Sequence, residues 1–393
     1  MKPLVCCLLP RPPHPSRDGG AIRTYFLLRG LASEARVRAL VLRPPDRPAG
    51  EYPEGVAPLE VPHALGAAVR AGAVLESLGT REAYPALLYR SPQLSRELTR
   101  IVTDEPPARV IALSYHLGPA AAESGASSWV DFQNVDSEIW RRLADTSPSF
   151  PARLFARAQA PLVEAFEEAV LREAGGVSGV SRRDAGALAA RTPGRDVAVV
   201  PNGVDLARYT FRGTAPSDSI LFFVGDLAWA PNADGVRWFL NRVWPEIRRR
   251  RNDARVEILA RERPAELVRA AGPDVRFAYS DDTRPYWARA AVAIVPLLAG
   301  GGTRLKILEA AACGVPVVST RVGAEGLDLE TGSEIAIAGD ASEFASEVVR
   351  LLADAPAARR QAEAARRKVG SHYGWDGIGA AFARAVLERS TAR

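Results

Sequence analysis

Short apolar runs alternate with amphipathic stretches along most of the chain, and this alternation limits the possible folds more than any other feature. Residues 4–9, 37–42, 110–114, 129–132, 176–181 and 197–200 read as strands in the first half. Residues 220–224, 256–259, 275–277, 291–296 and 315–319 do so in the second. The clearest of these runs, such as 4–9 and 291–296, are rich in Val, Ile and Leu without polar alternation, as expected of strands covered on both faces. Helical patterns occupy residues 21–34, 64–78, 92–103, 151–173, 341–352, 355–372 and 377–389, while 44–62 is turn-rich and lacks periodicity. Repeated strand–helix alternation implies an α/β fold with parallel sheets and right-handed crossovers. A length of 393 residues predicts two or three domains. Periodicity lapses at 205–216, so we divide the chain into domains 1–205 and 206–375 with a final helix at 376–393.

Within this pattern, the stretch AGGGTRLKILEAAACGVPVVST (residues 299–320) carries the most chemistry. The apolar strand AVAIVPLL runs into three glycines, then into a helix with Arg304, Lys306 and Glu309 in its first turns. Glycines admit positive φ and let backbone N–H groups approach a ligand. A helix N-terminus carries roughly half a positive charge and N–H groups with no partner inside the helix. Gly300, Gly301, Gly302 and Thr303, with Arg304 and Lys306, therefore form a candidate anion site. Glu309 lies about a turn and a half inside, within reach of hydroxyls on whatever carries the phosphates. The plainer reading is a surface loop before a helix with a Lys306–Glu309 ion pair. Strand, glycine loop and helix follow in the order open α/β sheets use at the carboxyl ends of their strands.

Several segments resemble the family-four group of retaining glycosyltransferases, also described as glycosyl transferases group 1. They are DGGAIRTYFLLRGL (18–31), VDFQNVDSEIWRRL (130–143), VVPNGVD (199–205), ILFFVGDL (220–227) and KILEAAACGVPVVST (306–320). The resemblance implies the GT-B fold: two facing Rossmann-like domains with parallel sheets, and a C-terminal helix crossing back to the first domain. It also implies retaining, metal-independent transfer of a hexose-type sugar from a nucleotide diphosphate sugar, with no cofactor. The carboxylate matching Glu309 binds ribose hydroxyls in that family. Three positions depart from its pattern. The first Glu of the paired motif falls on Gly301, and the two cations near the start of the second domain fall on Asp226 and Asn232. Arg304 and Lys306 are the expected replacements, which would move the cationic duty onto the glycine-loop helix.

On the acceptor side, Gly19 and Gly20 open the first helix and are counted with the donor-binding residues, and Arg23 lies one turn in. His116 ends the strand VIALSYH at the edge where ligands sit, and we group it with Arg304 and Lys306 as a catalytic candidate. Asn134 and Asp136 are acceptor contacts, with helix capping as the alternative for Asp136. Gln133 stands where relatives often carry His. Asn202 and Gly203 fit a tight turn at the hinge.

Composition excludes other classes. The net charge of +5 lacks a basic stripe interleaved with aromatics, which argues against nucleic acid. The basic clusters 248–251 and 359–368 read as solvated helix faces, with attraction to an anionic membrane surface as the alternative. Three cysteines have neither disulfide nor metal spacing. The opening MKPLVCCLLP is too short in its apolar part for a signal peptide, and no run spans a bilayer. We therefore expect a cytoplasmic protein, at most peripheral on the inner face of the membrane, acting on a glycan, lipid-linked or small-molecule acceptor. A non-catalytic partner subunit and a sugar-nucleotide epimerase of the same fold are the competing readings.

Overall fold

The computed structural model describes residues 2–15, 18–45, 49–147, 149–213, 216 and 218–388. The chain forms two compact units, Met1–Pro201 with Asp376–Arg393, and Asn202–Trp375.

In the first unit the order is β1 (Leu4–Leu9), α1 (Gly19–Glu34), β2 (Arg36–Arg43), β3 (Val56–Pro62), α2 (Ala67–Thr80), α3 (Tyr84–Tyr89) and α4 (Pro92–Asp104). Next come β4 (Arg109–Ala112), a 3-10 turn (Tyr115–Leu117), α5 (Gly118–Glu123), β5 (Ser128–Phe132), α6 (Asp136–Thr146), α7 (Phe150–Glu173), β6 (Gly176–Gly179), α8 (Arg182–Arg191) and β7 (Ala198–Val199). Among the described residues the strands form one seven-stranded parallel sheet, β3-β2-β1-β4-β5-β6-β7. The apolar runs fill its centre: all six residues of β1 are buried, in register with β2 and β4.

The second unit runs β8 (Ile220–Val224), α9 (Ala230–Trp238), a π turn (Phe239–Val243), α10 (Trp244–Arg250), β9 (Arg255–Leu259), α11 (Ala265–Ala270) and β10 (Val275–Ala278). It continues through α12 (Arg284–Arg289), β11 (Val292–Val295), α13 (Leu305–Cys313), β12 (Val317–Thr320), β13 (Ala336–Ala338), α14 (Ala341–Ala353) and α15 (Ala355–His372). Its described strands make a six-stranded parallel sheet, β10-β9-β8-β11-β12-β13. One apolar cluster centres on Phe239, Ile247 and Phe344, the other on Trp287, Leu308 and Ala311.

The last helix, α16 (Trp375–Glu388), belongs to the first unit from Asp376 onward. Gly30 of α1 and Gly379 of α16 meet backbone to backbone, so a side-chain carbon at Gly30 would collide with the Gly379 carbonyl. Phe382 meets the Trp129 ring edge-on at 6.4 Å. Arg389, expected at the end of this helix, lies outside the described residues.

Two strands depart from the sequence reading. β3 lies within the stretch expected to be loop, and β13 was not anticipated. Both are edge strands. β3 is half exposed and contains Pro58 and Pro62, which an edge tolerates because one side of the ladder needs no donor. Its conformation comes from pairing with β2, not from an apolar pattern of its own.

Candidate active site

In each sheet the strand order reverses at one point, between β1 and β4 in the first unit and between β8 and β11 in the second. Loops leaving the two strands at such a point diverge and open a crevice at the carboxyl edge. In the second unit these are residues 225–229 after β8 and 296–304 after β11. The glycine loop is thus one wall of the switch-point crevice.

The loop needs its glycines. Gly300 has φ 129° and Gly302 has φ 65°, conformations that a side chain disfavours. Asn202 Nδ2 donates to Thr303 Oγ1 at 2.7 Å and steadies the end of the loop. α13 begins at Leu305 with Arg304 as its cap residue, so Arg304 precedes the helix instead of riding on its first turn. Its guanidinium Nη1 donates back to the carbonyls of Gly301 and of Gly302, the latter at 2.8 Å. The physical cause is simple: the helix end offers only N–H groups, so the nearest acceptors for a guanidinium are the loop carbonyls. Arg304 is buried and lies 5.9 Å from the Trp229 ring centroid.

Lys306 does project from the first turn. Its Nζ donates to Asn232 Oδ1 at 3.1 Å and stands 4.1 Å from the centroid of Phe223. Asn232 is held in turn by Nδ2 donating to the Asp226 carbonyl at 2.8 Å. A side-chain carbon on Gly225 would sit 2.8 Å from both Lys306 Nζ and Asn232 Nδ2. The ammonium therefore occupies the corner formed by the end of β8 and the start of α9, beside two of the three departing positions. Burial pushes Lys306 down to about 7, and the Arg304 charge acts in the same direction. Asp226 is exposed, its carboxylate accepting from the Ala228 N–H at 2.9 Å.

Glu309 forms no ion pair with Lys306. Its Oε2 accepts from Trp287 Nε1 at 3.1 Å. Burial raises its carboxyl to about 7, against the opposing hydrogen bonds from Trp287 and Tyr209. Ala310, Ala311 and Ala312 are fully buried beneath, which lets α13 lie close against its neighbours.

In the first unit, Gly19 and Gly20 open α1, and Asp18 caps it by accepting from the Ala21 N–H at 3.0 Å. The Arg11 guanidinium lies over Gly20 so closely that any side chain there would collide with it. Arg23 is not an acceptor contact in this arrangement. It is 1% exposed and grips Asp131 bidentately at 2.8 and 2.7 Å, with a third bond to the Pro201 carbonyl at 3.1 Å. Ser178 donates to the same carboxylate, and Trp129 Nε1 donates to Ser178. One turn into α1 the side chain points under the sheet edge, where a buried carboxylate captures it.

His116 sits in the turn after β4, its Nδ1 2.7 Å from Ser114 Oγ and its Nε2 3.4 Å from the Asp136 carboxylate. Tyr115 donates its hydroxyl proton to Asp136 at 3.0 Å. Asp136 is the first residue of α6, and the cap position belongs to Val135. Asn134, Gln133, His116, Asp136, Tyr89 and Arg11 line a small polar cavity of about 70 Å³. Gln133 is fixed by donating to the Leu113 carbonyl at 2.7 Å.

Several residues escaped sequence reasoning: Arg11, Tyr89, Asn202 as a loop anchor, Gly225, and the Trp287–Tyr209 surround of Glu309. VPNGVD and VGDL marked Asn202 and Gly225 as positions of interest, but nothing local announces the aromatic partners. Four residues of the basic clusters are ion-paired: Arg248 to Asp274, Arg251 to Asp253, Arg359 to Glu363 and Lys368 to Asp328. Cys6, Cys7 and Cys313 are buried free thiols. Among the described residues, no helix is long and apolar enough to cross a membrane, and no group of three His, Cys, Asp or Glu side chains has metal-binding geometry.

Residues 218–354 match the family model described as glycosyl transferases group 1. Over 139 residues the chain is 29% identical to an uncharacterized 44.6 kDa protein in the cps region of Klebsiella pneumoniae. That match covers 33% of this chain and 36% of the relative, so the chain spans about a third of the relative's length. Among solved structures, sucrose-phosphate synthase from Thermosynechococcus elongatus superposes with a TM-score of 0.76 at 16% identity, covering 98% of both chains. HepE of Anabaena, in complex with UDP and glucose, gives 0.68 at 14% identity over 98% of this chain and 99% of its own. WaaG, a glycosyltransferase involved in lipopolysaccharide biosynthesis, gives 0.67 at 14% over 98% and 99%. The chain therefore has the GT-B fold, and the match to the group 1 glycosyl transferase model lies in its second unit.

Proposed function

We propose that this protein is a retaining, metal-independent glycosyltransferase. It moves a hexose-type sugar from a nucleotide diphosphate sugar to a glycan, lipid-linked or small-molecule acceptor. The observation that carries the proposal is the corner where Lys306 meets Asn232 and Gly225 beside the N-terminus of α13. When the bond from the sugar's anomeric carbon to the diphosphate breaks, the leaving group takes the electron pair and its negative charge rises. Preorganised N–H groups and a nearby cation stabilise that charge more in the transition state than before it. The first N–H groups of α13 and the Lys306 ammonium are that set. Arg304 acts one step removed, holding the carbonyls of Gly301 and Gly302 so that the loop keeps its shape.

Glu309, held by Trp287, is the acceptor for the ribose hydroxyls. In the first unit, His116 and Asp136 orient the incoming hydroxyl, with Asn134 beside them. The lipopolysaccharide and UDP–glucose associations of WaaG and HepE favour a donor of the UDP–hexose kind and an acceptor in surface-glycan assembly. Incubation with a panel of nucleotide sugars, following release of the nucleoside diphosphate, tests the reading. Turnover should appear with at least one donor, and Glu309→Ala should weaken its binding at least tenfold. Thermal shift without turnover would favour the non-catalytic subunit. No binding of any nucleoside diphosphate would end the proposal.

A further inference from the structure

Beside the small polar cavity lies a much larger one of about 590 Å³, also wholly within the first unit. Tyr89 and His116 line both. Their rings stack at 4.6 Å with an interplanar angle of 23°, forming a shared partition. On the far side of this partition apolar surface outweighs polar, with Ala86, Pro92, Leu117, Leu162, Ala165 and Phe166 in the wall beside the charged Arg81, Glu82, Arg90 and Glu123. Arg90, on the rim, is already paired with Glu82 and Glu76, so it does not call for an anionic guest. The two cavities differ in balance: polar groups predominate on one side of the His116–Tyr89 pair, and apolar surface predominates on the other.

Pockets lined by apolar side chains with a few convergent polar groups bind molecules of matching amphiphilic character. We infer that the acceptor is an amphiphile, with its hydroxyl-bearing head at His116, Asn134 and Asp136 and its hydrocarbon part in the cavity bounded by Ala86, Leu162 and Phe166. The word acceptor rests on the proposed sugar transfer; the binding of an amphiphile does not.

The test is calorimetric titration of the full chain with n-alkyl β-D-glucosides from methyl to octyl, below their micelle concentrations and without a sugar nucleotide. The dissociation constant should fall by up to about fourfold per added methylene and level off once the cavity is filled. Ala86→Trp on α3 and Ala165→Trp on α7 each fill the cavity from a different wall. Either should weaken octyl glucoside binding at least tenfold and flatten the series. Nucleoside diphosphate binding, a property of the other unit, serves as the control for correct folding and should stay at the wild-type value. Affinity independent of chain length in the wild type would overturn the inference. So would a steep series that persists in both tryptophan variants. A steep series without sugar-nucleotide turnover would keep the amphiphile site and discard the transferase; turnover with a flat series would do the opposite.

Discussion

Burial pushes Lys306 down and Glu309 up, each to about 7, and the two act in opposite senses for a ligand that needs the first protonated and the second deprotonated. The proposed donor site requires Lys306 protonated, to meet phosphate, and Glu309 deprotonated, to accept from ribose. Lys306 is lowered by burial, so its charge disappears as pH rises through about 7. Glu309 is raised by burial, so its charge disappears as pH falls through about 7. If the two titrate independently, roughly a quarter of free molecules hold the competent pair at pH 7, and roughly one in a hundred at pH 5 or pH 9. Attraction between the two charges broadens the optimum without moving its centre. Calorimetric titration with the best-binding nucleoside diphosphate should give a bell centred near pH 7, with affinity about 25-fold lower two units away on either side. Lys306→Met should abolish the alkaline limb and Glu309→Gln the acid limb. The nucleotide's own phosphate, with a second ionisation near pH 6, adds to the acid limb, so the Gln variant supplies the needed baseline. An alkaline limb that survives in Lys306→Met would refute the assignment of the cation to this residue.

Three further predictions follow from packing. Gly225→Ala places a methyl group 2.8 Å from Lys306 Nζ; overpacking of about 1–3 kcal/mol should raise the nucleotide dissociation constant roughly 5- to 150-fold, and titration at wild-type strength would contradict it. Arg23→Ala strands the Asp131 carboxylate in a buried place; urea unfolding of the first unit should show a loss of about 3–5 kcal/mol, whereas an unchanged midpoint with lost transfer would return Arg23 to a ligand role. Gly30→Val drives a side chain into the Gly379 backbone, and limited proteolysis should then release the C-terminal segment at a rate where the wild type stays intact.

The central strands were legible because burial on both faces leaves an apolar run that needs no context, as in LVCCLL and ILFFV. Of the edge strands, β7 and β10 were read but β3 and β13 were not: β3 is largely exposed, β13 is three residues long, and each takes its geometry from the neighbour it pairs with. The glycine loop could also be read, since positive φ at Gly300 and Gly302 restricts the residue type at those positions. Arg304 shows the boundary of that legibility. Its nearness to the loop was plain, but its bonds to the loop carbonyls depend on where the helix starts, one residue later than charge and spacing alone suggested.

Local sequence determined the order of strands and helices, the glycine bend before α13 and the helix stop at Gly314, where φ is 75°. Each of these depends on properties of neighbouring residues: side-chain branching, apolar period and backbone freedom. Tertiary structure alone decided that Lys306 meets Asn232 across 74 positions, that Arg23 is spent on Asp131 across 108, and that Tyr89 leans on His116. Such pairings arise from the sheet's strand order, which brings distant loops to one edge, and short-range patterning carries no record of which loops those will be.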